Sequence, residues 1–206
     1  ILARGGSKGI PKKNIHDISG KPLLWYAINA SKNSKVNETW VSTDDPVIKS
    51  ISSEYGCEVI DRPSSLASDY AKSDDALVHF AKNIEFDILV FIQPTSPLLK
   101  SKDIDGGLSM MDEYESVFSA YREHWLPRWN KCVKPIDWDI KRRPMRQEID
   151  EVFVENGAFY ITSRSNLIQS GLRYSGRTGI FEMPFSRSFQ LDNIDDLLII
   201  EKILNK

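Results

Sequence analysis

The sequence has little cysteine, little histidine and no long apolar run. Cys57 and Cys132 are its only cysteines, in no metal-binding spacing, so a disulfide scaffold is excluded and free thiols in a reducing, cytoplasmic compartment are expected. The histidines, His16, His79 and His124, are scattered and form no zinc signature. No apolar run reaches the length that crosses a bilayer, and no signal peptide is visible. We therefore expect no membrane association.

The sequence also lacks an excess of either charge. The formal net charge is −2 over 206 residues, which argues against a general nucleic-acid-binding or membrane-binding surface. This length can bury one core, so we expect a single domain over residues 1–206. The chain opens within a strand-like apolar run, Ile1-Leu2-Ala3, and we expect a few residues of the natural protein to precede it.

A basic, glycine-rich stretch follows that run, with no acidic residue in it. It reads LARGGSKGIPKKN over residues 2–14. Glycines without Cβ atoms let backbone N–H groups turn toward one point, and basic side chains behind them favour a polyphosphate. The spacing is not that of a P-loop. The alternative interpretation is a surface turn with solvated lysines.

Strand and helix signals alternate through the first half of the chain. Helical spacing covers residues 22–35, 46–55 and 73–83, with Ser73 or Asp74 as N-cap, and strand patterns cover residues 39–42, 57–60 and 87–92. The run 87–92 is continuously apolar, which is typical of a strand covered on both faces. A less regular helix near 104–111, strands at 115–121, 152–162 and 179–183, and helices at 165–170 and 193–204 complete the pattern. It predicts an α/β, Rossmann-like fold with a mainly parallel sheet flanked by helices.

Polar residues follow four of the predicted strands. They are residues 4–8, Thr43 and Asp44, Arg62, and residues 93–96. Ligands of such sheets bind beyond the carboxyl ends of the strands. Four polar ends at the same edge therefore favour a site over four unrelated loops.

Residues 124–150 interrupt this regularity and are called the arm below. The arm combines tryptophans and prolines with a basic cluster, Lys141-Arg142-Arg143 and Arg146. Aromatic and arginine side chains suit single-stranded nucleic acid, but the charge is local and no nucleic-acid module is present. We expect an arm that packs on a second copy of the chain in a homodimer.

With these segments placed, nearly the whole chain resembles the cytidylyltransferases that activate sialic acids and related nonulosonic sugars, most closely the CMP-N-acylneuraminate synthetases. The matching motifs are LARGGSKGIPKKN at 2–14, VSTDD at 41–45, RPSSLASD at 62–69, QPTSPL at 93–98, SVFSAYREH at 116–124, RRPMRQ at 142–147, ENGAFY at 155–160 and LDNIDDL at 191–197. The resemblance implies a nucleotidyltransferase-type fold and the transfer of CMP from CTP to a nine-carbon acidic sugar.

The resemblance also implies roles for individual residues. Arg4, Lys13 and Asp192 would be catalytic, with Asp192 holding Mg²⁺. The nucleotide would be bound by Arg4, Gly5, Gly6, Ser7, Lys8, Lys13, Asn14, Arg62, Ala71 and Ser73. The sugar would be bound by Gln93, Thr95, Ser96, Arg146 and Asn156, with Arg146 forming a bidentate pair with its carboxylate.

Several of these residues have simpler interpretations. Lys8 is also typical of a solvated loop, Arg62 of a strand-end cap, and Arg146 of a dimer salt bridge. In the same simpler interpretation, Gln93 forms hydrogen bonds only within its own loop, and Asp192 is only the N-cap of the last helix.

The sequence departs from the family pattern at two positions. The family often has Asp-x-Asp before the closing helix, and here the first position is Gln190, which puts metal binding by two carboxylates in doubt. Some members carry a second arginine where this chain has Val154, so the carboxylate contact would fall on Arg146 or on a partner chain.

Other functions on the same fold stay open. The acceptor could be legionaminate, pseudaminate or 3-deoxy-octulosonate. A catalytically silent nucleotide-binding relative is a further alternative, with Gln190 as its sign of decay.

Overall fold

A computed structural model of the chain describes residues 1–7, 9–124 and 126–205. Its α-helices are α1 (Leu23–Lys32), α2 (Pro46–Glu54), α3 (Ser73–Asn83), α4 (Ser101–Ser109), α5 (Arg164–Ser170) and α6 (Ile194–Leu204). Its strands are β1 (Asp17–Ile18), β2 (Lys21–Pro22), β3 (Trp40–Thr43), β4 (Glu58–Asp61), β5 (Ile88–Ile92), β6 (Ser116–Arg122), β7 (Arg128–Trp129), β8 (Pro135–Ile136), β9 (Phe153–Ser163) and β10 (Thr178–Glu182). The predicted α/β fold with helices flanking a sheet is confirmed.

The longer strands form two hydrogen-bonded groups, and the larger group is mixed in strand direction. Strand β3 pairs in parallel with β4, and Leu2 forms a parallel bridge with Ser42 of β3. The second group has the order β10-β6-β9-β5, in which β10 and β6 are parallel while β9 runs antiparallel to both β6 and β5. The prediction of a mainly parallel sheet therefore fails at β9. This strand is reached through the irregular arm, and not through the crossover helix that a parallel neighbour needs.

Local sequence signals explain where two of the helices begin. Pro46 is the first residue of α2, and Asp45 caps it by accepting from Val47 N at 2.8 Å and Ile48 N at 3.1 Å. Asn193 caps α6 by accepting from Asp196 N at 3.0 Å. The N-cap predicted for α3 was wrong, because that helix already includes Ser73. Among the described helices, none is long and apolar enough to cross a membrane.

Two hydrophobic clusters fix the loops that form the site. Ala27, Ile92 and Phe159 are buried where α1 packs near the sheet. In the other cluster, Ile10 of the glycine-rich stretch packs with Leu191, which precedes α6, and both are at most 2% exposed. This contact brings the two ends of the chain together at the carboxyl edge of the sheet.

Strand β5 is only partly covered, although its sequence predicted burial on both faces. Phe91 and Ile92 are buried, whereas Ile88 is 45% exposed. The reason is a cavity of about 400 Å³ that β5 borders together with residues 35–40. The carboxyl end of β5, which leads into the site, is the buried end.

The arm is a surface excursion between β6 and β9. Its strands β7 and β8 form a small hairpin, in which the Arg128 guanidinium pairs with Asp137 at 2.9 Å. Trp129 and Trp138 stack edge to face with ring centroids 5.0 Å apart. Its exposed apolar side chains are Leu126, Trp129, Val133, Ile136, Ile140 and Met145. Trp125 lies outside the described residues.

Candidate active site

A cleft of about 450 Å³ opens at the predicted edge of the sheet. It is bounded by the loops that follow the Ile1–Ala3 segment, β4 and β5, and by Asp192 ahead of α6. The predicted site residues that line it are Arg4, Gly6, Ser7, Lys13, Asn14, Arg62, Ala71, Ser73, Gln93, Thr95 and Asp192. The structure thus brings together residues that are up to 188 positions apart in the sequence.

Hydrogen bonds with nearby residues hold the glycine-rich loop in place. Gly5 N donates to Asp44 Oδ1 at 3.0 Å, and the Asn14 amide donates to the Arg4 carbonyl at 2.9 Å. A Cβ on Gly9 would overlap the backbone carbonyl of Asp192, so only glycine allows this close approach. The predicted ligand Lys8 lies outside the described residues.

Two cations of the cleft are each held by a carboxylate. Arg4 Nη1 lies 2.9 Å from Asp69 Oδ1, and Lys13 Nζ lies 3.0 Å from Asp192 Oδ1. Lys13 Nζ also donates to the Leu191 carbonyl at 2.9 Å, which fixes its position independently of the ion pair. Both carboxylates are partly exposed. An anion entering the cleft would therefore meet positioned cations and would compete with Asp69 and Asp192 for them.

Arg62 is the most buried cation of the cleft, at 7% exposure. Its Nε donates to Ser42 Oγ at 3.1 Å, and its Nη2 donates to the Ser42 carbonyl. Burial lowers the pKa of Arg62 to about 10, an effect that the Asp44 carboxylate opposes and Arg4 reinforces. The guanidinium still carries its charge at neutral pH. These bonds agree with the interpretation of Arg62 as a cap of the strand end. Arg62 also lines the cleft, so the two roles are compatible.

The start of α3 is fixed from behind the cleft by Arg173. Its backbone N donates to Asp74 Oδ1 and its Nη2 to Asp74 Oδ2, both at 2.8 Å, and its guanidinium lies over the Tyr160 ring at 5.0 Å. Burial alone would raise the pKa of Asp74, but the hydrogen bonds and charge of Arg173 outweigh it, and the pKa lies below its ordinary value. This network anchors the first turn of α3, in which Asp74 directly follows Ser73 of the cleft wall.

Three predicted sugar-binding residues do not line the cleft. Ser96 is 1% exposed, and its hydroxyl finds no hydrogen-bond partner among the described residues. Asn156 is 4% exposed, and its amide is bonded to Ser119 Oγ at 2.6 Å and Ser188 Oγ at 2.9 Å. Arg146 lies on the arm and contacts His124. Ser96 and Asn156 support the floor beside Gln93 from within, and a direct contact from Arg146 would need a different chain or a different arm position.

Asp192 is the one carboxylate at the predicted metal position. The N-cap of α6 is Asn193, so the helix-cap interpretation of Asp192 is wrong. No group of three or more histidine, cysteine, aspartate or glutamate residues converges among the described residues. One partly exposed carboxylate fits a hard cation that takes most of its oxygen ligands from phosphate and water.

The sequence interpretation missed two charged residues of the cleft, Asp69 and Lys72. Lys72 lies between the predicted Ala71 and Ser73 and also lines the cleft. Asp69 closes the RPSSLASD motif and pairs with Arg4. The position of Asp69 in this motif was a signal that could have identified it. The place of Lys72 in the cleft depends on the turn into α3, which the sequence pattern did not define.

The family model described as cytidylyltransferase matches residues 1–186. An N-acylneuraminate cytidylyltransferase of Oncorhynchus mykiss is 37% identical over 93% of this chain and 46% of its own length. The protein of that name from Streptococcus agalactiae serotype V is 29% identical over 96% of this chain and 51% of its own. The chain thus spans about half the length of the curated relatives it matches.

Two solved structures share the fold. One is described as a CMP:2-keto-3-deoxy-manno-octonic acid synthetase complexed with CTP, with a TM-score of 0.74 and 21% identity over 99% of this chain and 96% of that one. The other is a 4-diphosphocytidyl-2C-methyl-D-erythritol synthase from Anaerococcus prevotii, with a TM-score of 0.73 and 8% identity over 100% and 95%. At these identities the likeness concerns the fold alone.

Proposed function

Because the chain belongs to the cytidylyltransferase family, we propose that it transfers CMP from CTP to the anomeric hydroxyl of an N-acylneuraminate, a sialic acid. The products are the CMP-sugar and pyrophosphate. The names of the relatives that match most of this chain support the choice of acceptor. The observation that carries the proposal is the set of positioned cations, Arg4, Lys13 and Arg62, in one cleft with Asp192.

The reaction needs charge stabilisation and alignment more than covalent catalysis. The sugar hydroxyl oxygen bonds to the α-phosphorus while the bond to the bridging oxygen of the β-phosphate breaks, and the hydroxyl proton leaves to solvent. Negative charge grows on the phosphate oxygens as this happens. Preorganised cations stabilise such charge without reorganising during the step.

The glycine-rich loop supplies the triphosphate end of the site. Arg4 and Lys13 contact the phosphates, with Asn14 holding the loop through the Arg4 carbonyl and with Lys8 as a further proposed phosphate ligand. Triphosphate binding draws Arg4 away from Asp69 and frees an Asp192 oxygen from Lys13. Arg62, Ala71 and Ser73 form the wall for the cytidine.

Asp192 would hold the divalent ion of the reaction, Mg²⁺, together with triphosphate oxygens and water. The chemistry that such an ion would supply there is neutralisation of phosphate charge and polarisation of the α-phosphate. Lys13 keeps Asp192 turned toward the cleft before the nucleotide arrives.

The acceptor end combines Gln93 and Thr95 of this chain with the arm of a second copy. Arg146 pairs with the sugar carboxylate in trans within a homodimer. The exposed apolar side chains of the arm, such as Val133 at 76% and Ile140 at 62% exposure, support an interface there. The proposed location is the cytoplasm.

A substrate panel tests this function. Purified protein is incubated with Mg²⁺, one of CTP, UTP, ATP or GTP, and one of N-acetylneuraminate, legionaminate, pseudaminate or 3-deoxy-octulosonate, and pyrophosphate release is followed. We expect release with CTP and N-acetylneuraminate, with Lys82→Ala as an active control remote from the cleft. A folded protein that releases pyrophosphate with none of the sugars is a silent relative, and a preference for another sugar reassigns the acceptor.

A further inference from the structure

Gln190 occupies the position where the family often has the first carboxylate of a metal-binding pair. Its side-chain Nε2 donates to the backbone carbonyl of Asn156. A carbonyl oxygen only accepts hydrogen bonds, so this partner fixes which end of the Gln190 amide faces it. An aspartate here would have no donor for that carbonyl.

The amide of Gln190 packs directly on the corner formed by Asn156 and Gly157. Gly157 has φ of +65°, and a Cβ there would overlap Gln190 Nε2 and lie 3.3 Å from Gln93 Oε1. The amides of Gln190 and Gln93 therefore both lie beside this glycine. Next to them, Leu191 N donates to the Thr95 carbonyl at 2.8 Å.

The same corner is held from below by the Asn156 side chain. Asn156 accepts from Ser119 Oγ at 2.6 Å and donates to Ser188 Oγ at 2.9 Å. The side chain of Asn156 is thus anchored to the core while its carbonyl is anchored to Gln190. Without Gln190, the Asn156 carbonyl loses its side-chain hydrogen-bond donor. The corner that contains this carbonyl lies beside Gln93, which lines the cleft.

We propose that Gln190 is a positioning residue of the acceptor end and not a ligand of the metal ion. It holds the Asn156–Gly157 corner against Gln93, so its loss affects the fit of the sugar and spares the use of nucleotide and Mg²⁺. The acceptor half of this inference rests on the proposed function. The contact between Gln190 and the corner does not.

Steady-state kinetics of two variants test the acceptor half. Gln190→Ala removes the side-chain amide, and Gln190→Glu keeps the length but loses the N–H donor. We expect both to raise KM for the sugar about tenfold, as for one lost hydrogen bond to a fixed partner. KM for CTP and the Mg²⁺ concentration at half-maximal rate stay within about twofold of the wild type. The matched control is Gln169→Ala on the exposed face of α5, which should change none of these values.

An altered Mg²⁺ requirement with an unchanged KM for the sugar would overturn the proposal and make Gln190 a metal ligand. Unchanged kinetics in both variants would overturn it as well.

A double-mutant cycle in thermal unfolding tests the contact without any substrate. Gly157→Ala should destabilise the chain more when Gln190 is present than in the Gln190→Ala background, because the overlapping amide is then gone. A Gly157→Ala chain that folds only together with Gln190→Ala is the extreme form of the same result. Additive effects would refute the positioning role even in an active enzyme. A coupled cycle in a protein that turns over no sugar would refute the proposed function and the acceptor half, and leave the contact established.

Discussion

The cleft and the arm differ in how the chain holds them. Cleft side chains are fixed by contacts that join distant segments, such as Lys13 to Leu191 and Gly5 to Asp44. In the arm, Arg128 pairs with Asp137, Trp138 donates to the Arg128 carbonyl at 3.1 Å, and Arg146 contacts His124. Each of these contacts joins two residues of the arm.

This difference separates the part of the site that one chain forms alone from the part that we assign to two chains of a dimer. The proposed nucleotide end of the cleft has its cations Arg4, Lys13 and Arg62 within a single chain. The arm carries a basic cluster and exposed apolar side chains, a composition that suits an interface. The variants below test whether nucleotide chemistry and sugar binding divide along this line.

The largest effect is expected at Asp192. Asp192→Asn removes the carboxylate from the proposed ion while leaving a side chain of the same shape, so kcat should fall by on the order of a thousandfold. Rates measured across Mg²⁺ concentrations check this. If the variant keeps the wild-type rate and Mg²⁺ dependence, the ion is held elsewhere, with Asp44 and Asp195 as the next candidates.

Arg4→Ala should cost roughly a hundredfold in kcat, the effect of losing one preorganised charge that acts in the transition state. The sugar KM should stay near the wild-type value, because Arg4 lies at the nucleotide end. Lys82→Ala serves as the control for loss of a positive charge on the surface. A variant with normal kcat and only a raised KM for CTP would show instead that Arg4 binds the ground state and the transition state equally.

Arg146→Ala should raise KM for the sugar about tenfold or more, through loss of a charged hydrogen-bond pair, with KM for CTP unchanged. Arg177→Ala, at an exposed arginine immediately before β10, is the matched control. Light scattering should give twice the chain mass for both variants. Equal effects on both KM values would break the proposed division between cleft and arm.

Complementation shows whether Arg146 acts across the dimer. Co-expressed Asp192→Asn and Arg146→Ala chains should recover about a quarter of wild-type activity at low sugar concentration, as random pairing in a two-fold dimer requires. Each heterodimer then contains one cleft with an intact Asp192 and an intact arm from its partner. Activity no greater than the sum of the two separate variants would place Arg146 in cis or remove its role.

The smallest effect concerns the support behind the cleft. Because Arg173 lowers the pKa of Asp74 in the folded state, this pair stabilises the fold above the unfolded pKa of about 4, and the contribution is lost as pH falls through the lower folded value. Arg173→Met should therefore lower Tm by a few degrees at pH 7, as for a loss of about 1 kcal/mol. The difference from the wild type should shrink below about pH 4. A difference that is constant with pH would assign the loss to packing of Arg173 on Tyr160.

Local sequence patterns predicted the helices and strands well, but they did not predict the contacts between distant segments. The bounds of α3 follow from its spacing, and three of the four polar strand ends border the cleft, whereas Thr43 and Asp44 do not line it. The direction of β9 was not predictable, because the arm before it has no periodicity. The burial of Asn156 and the bond from Gln190 to its carbonyl depend on segments 34 residues apart. A motif therefore names such residues without telling which of them reach the ligand.

Transfer of CMP from CTP to a sialic acid is tested most directly by phosphorus NMR of one reaction, with the purified protein, CTP, Mg²⁺ and N-acetylneuraminate. We predict that the triphosphate signals decline while a CMP-sugar phosphodiester signal and pyrophosphate appear in equal amounts. Omission of the sugar should leave CTP intact. Pyrophosphate or phosphate without a matching phosphodiester, or unchanged CTP with every sugar of the panel in a folded protein, would contradict the account.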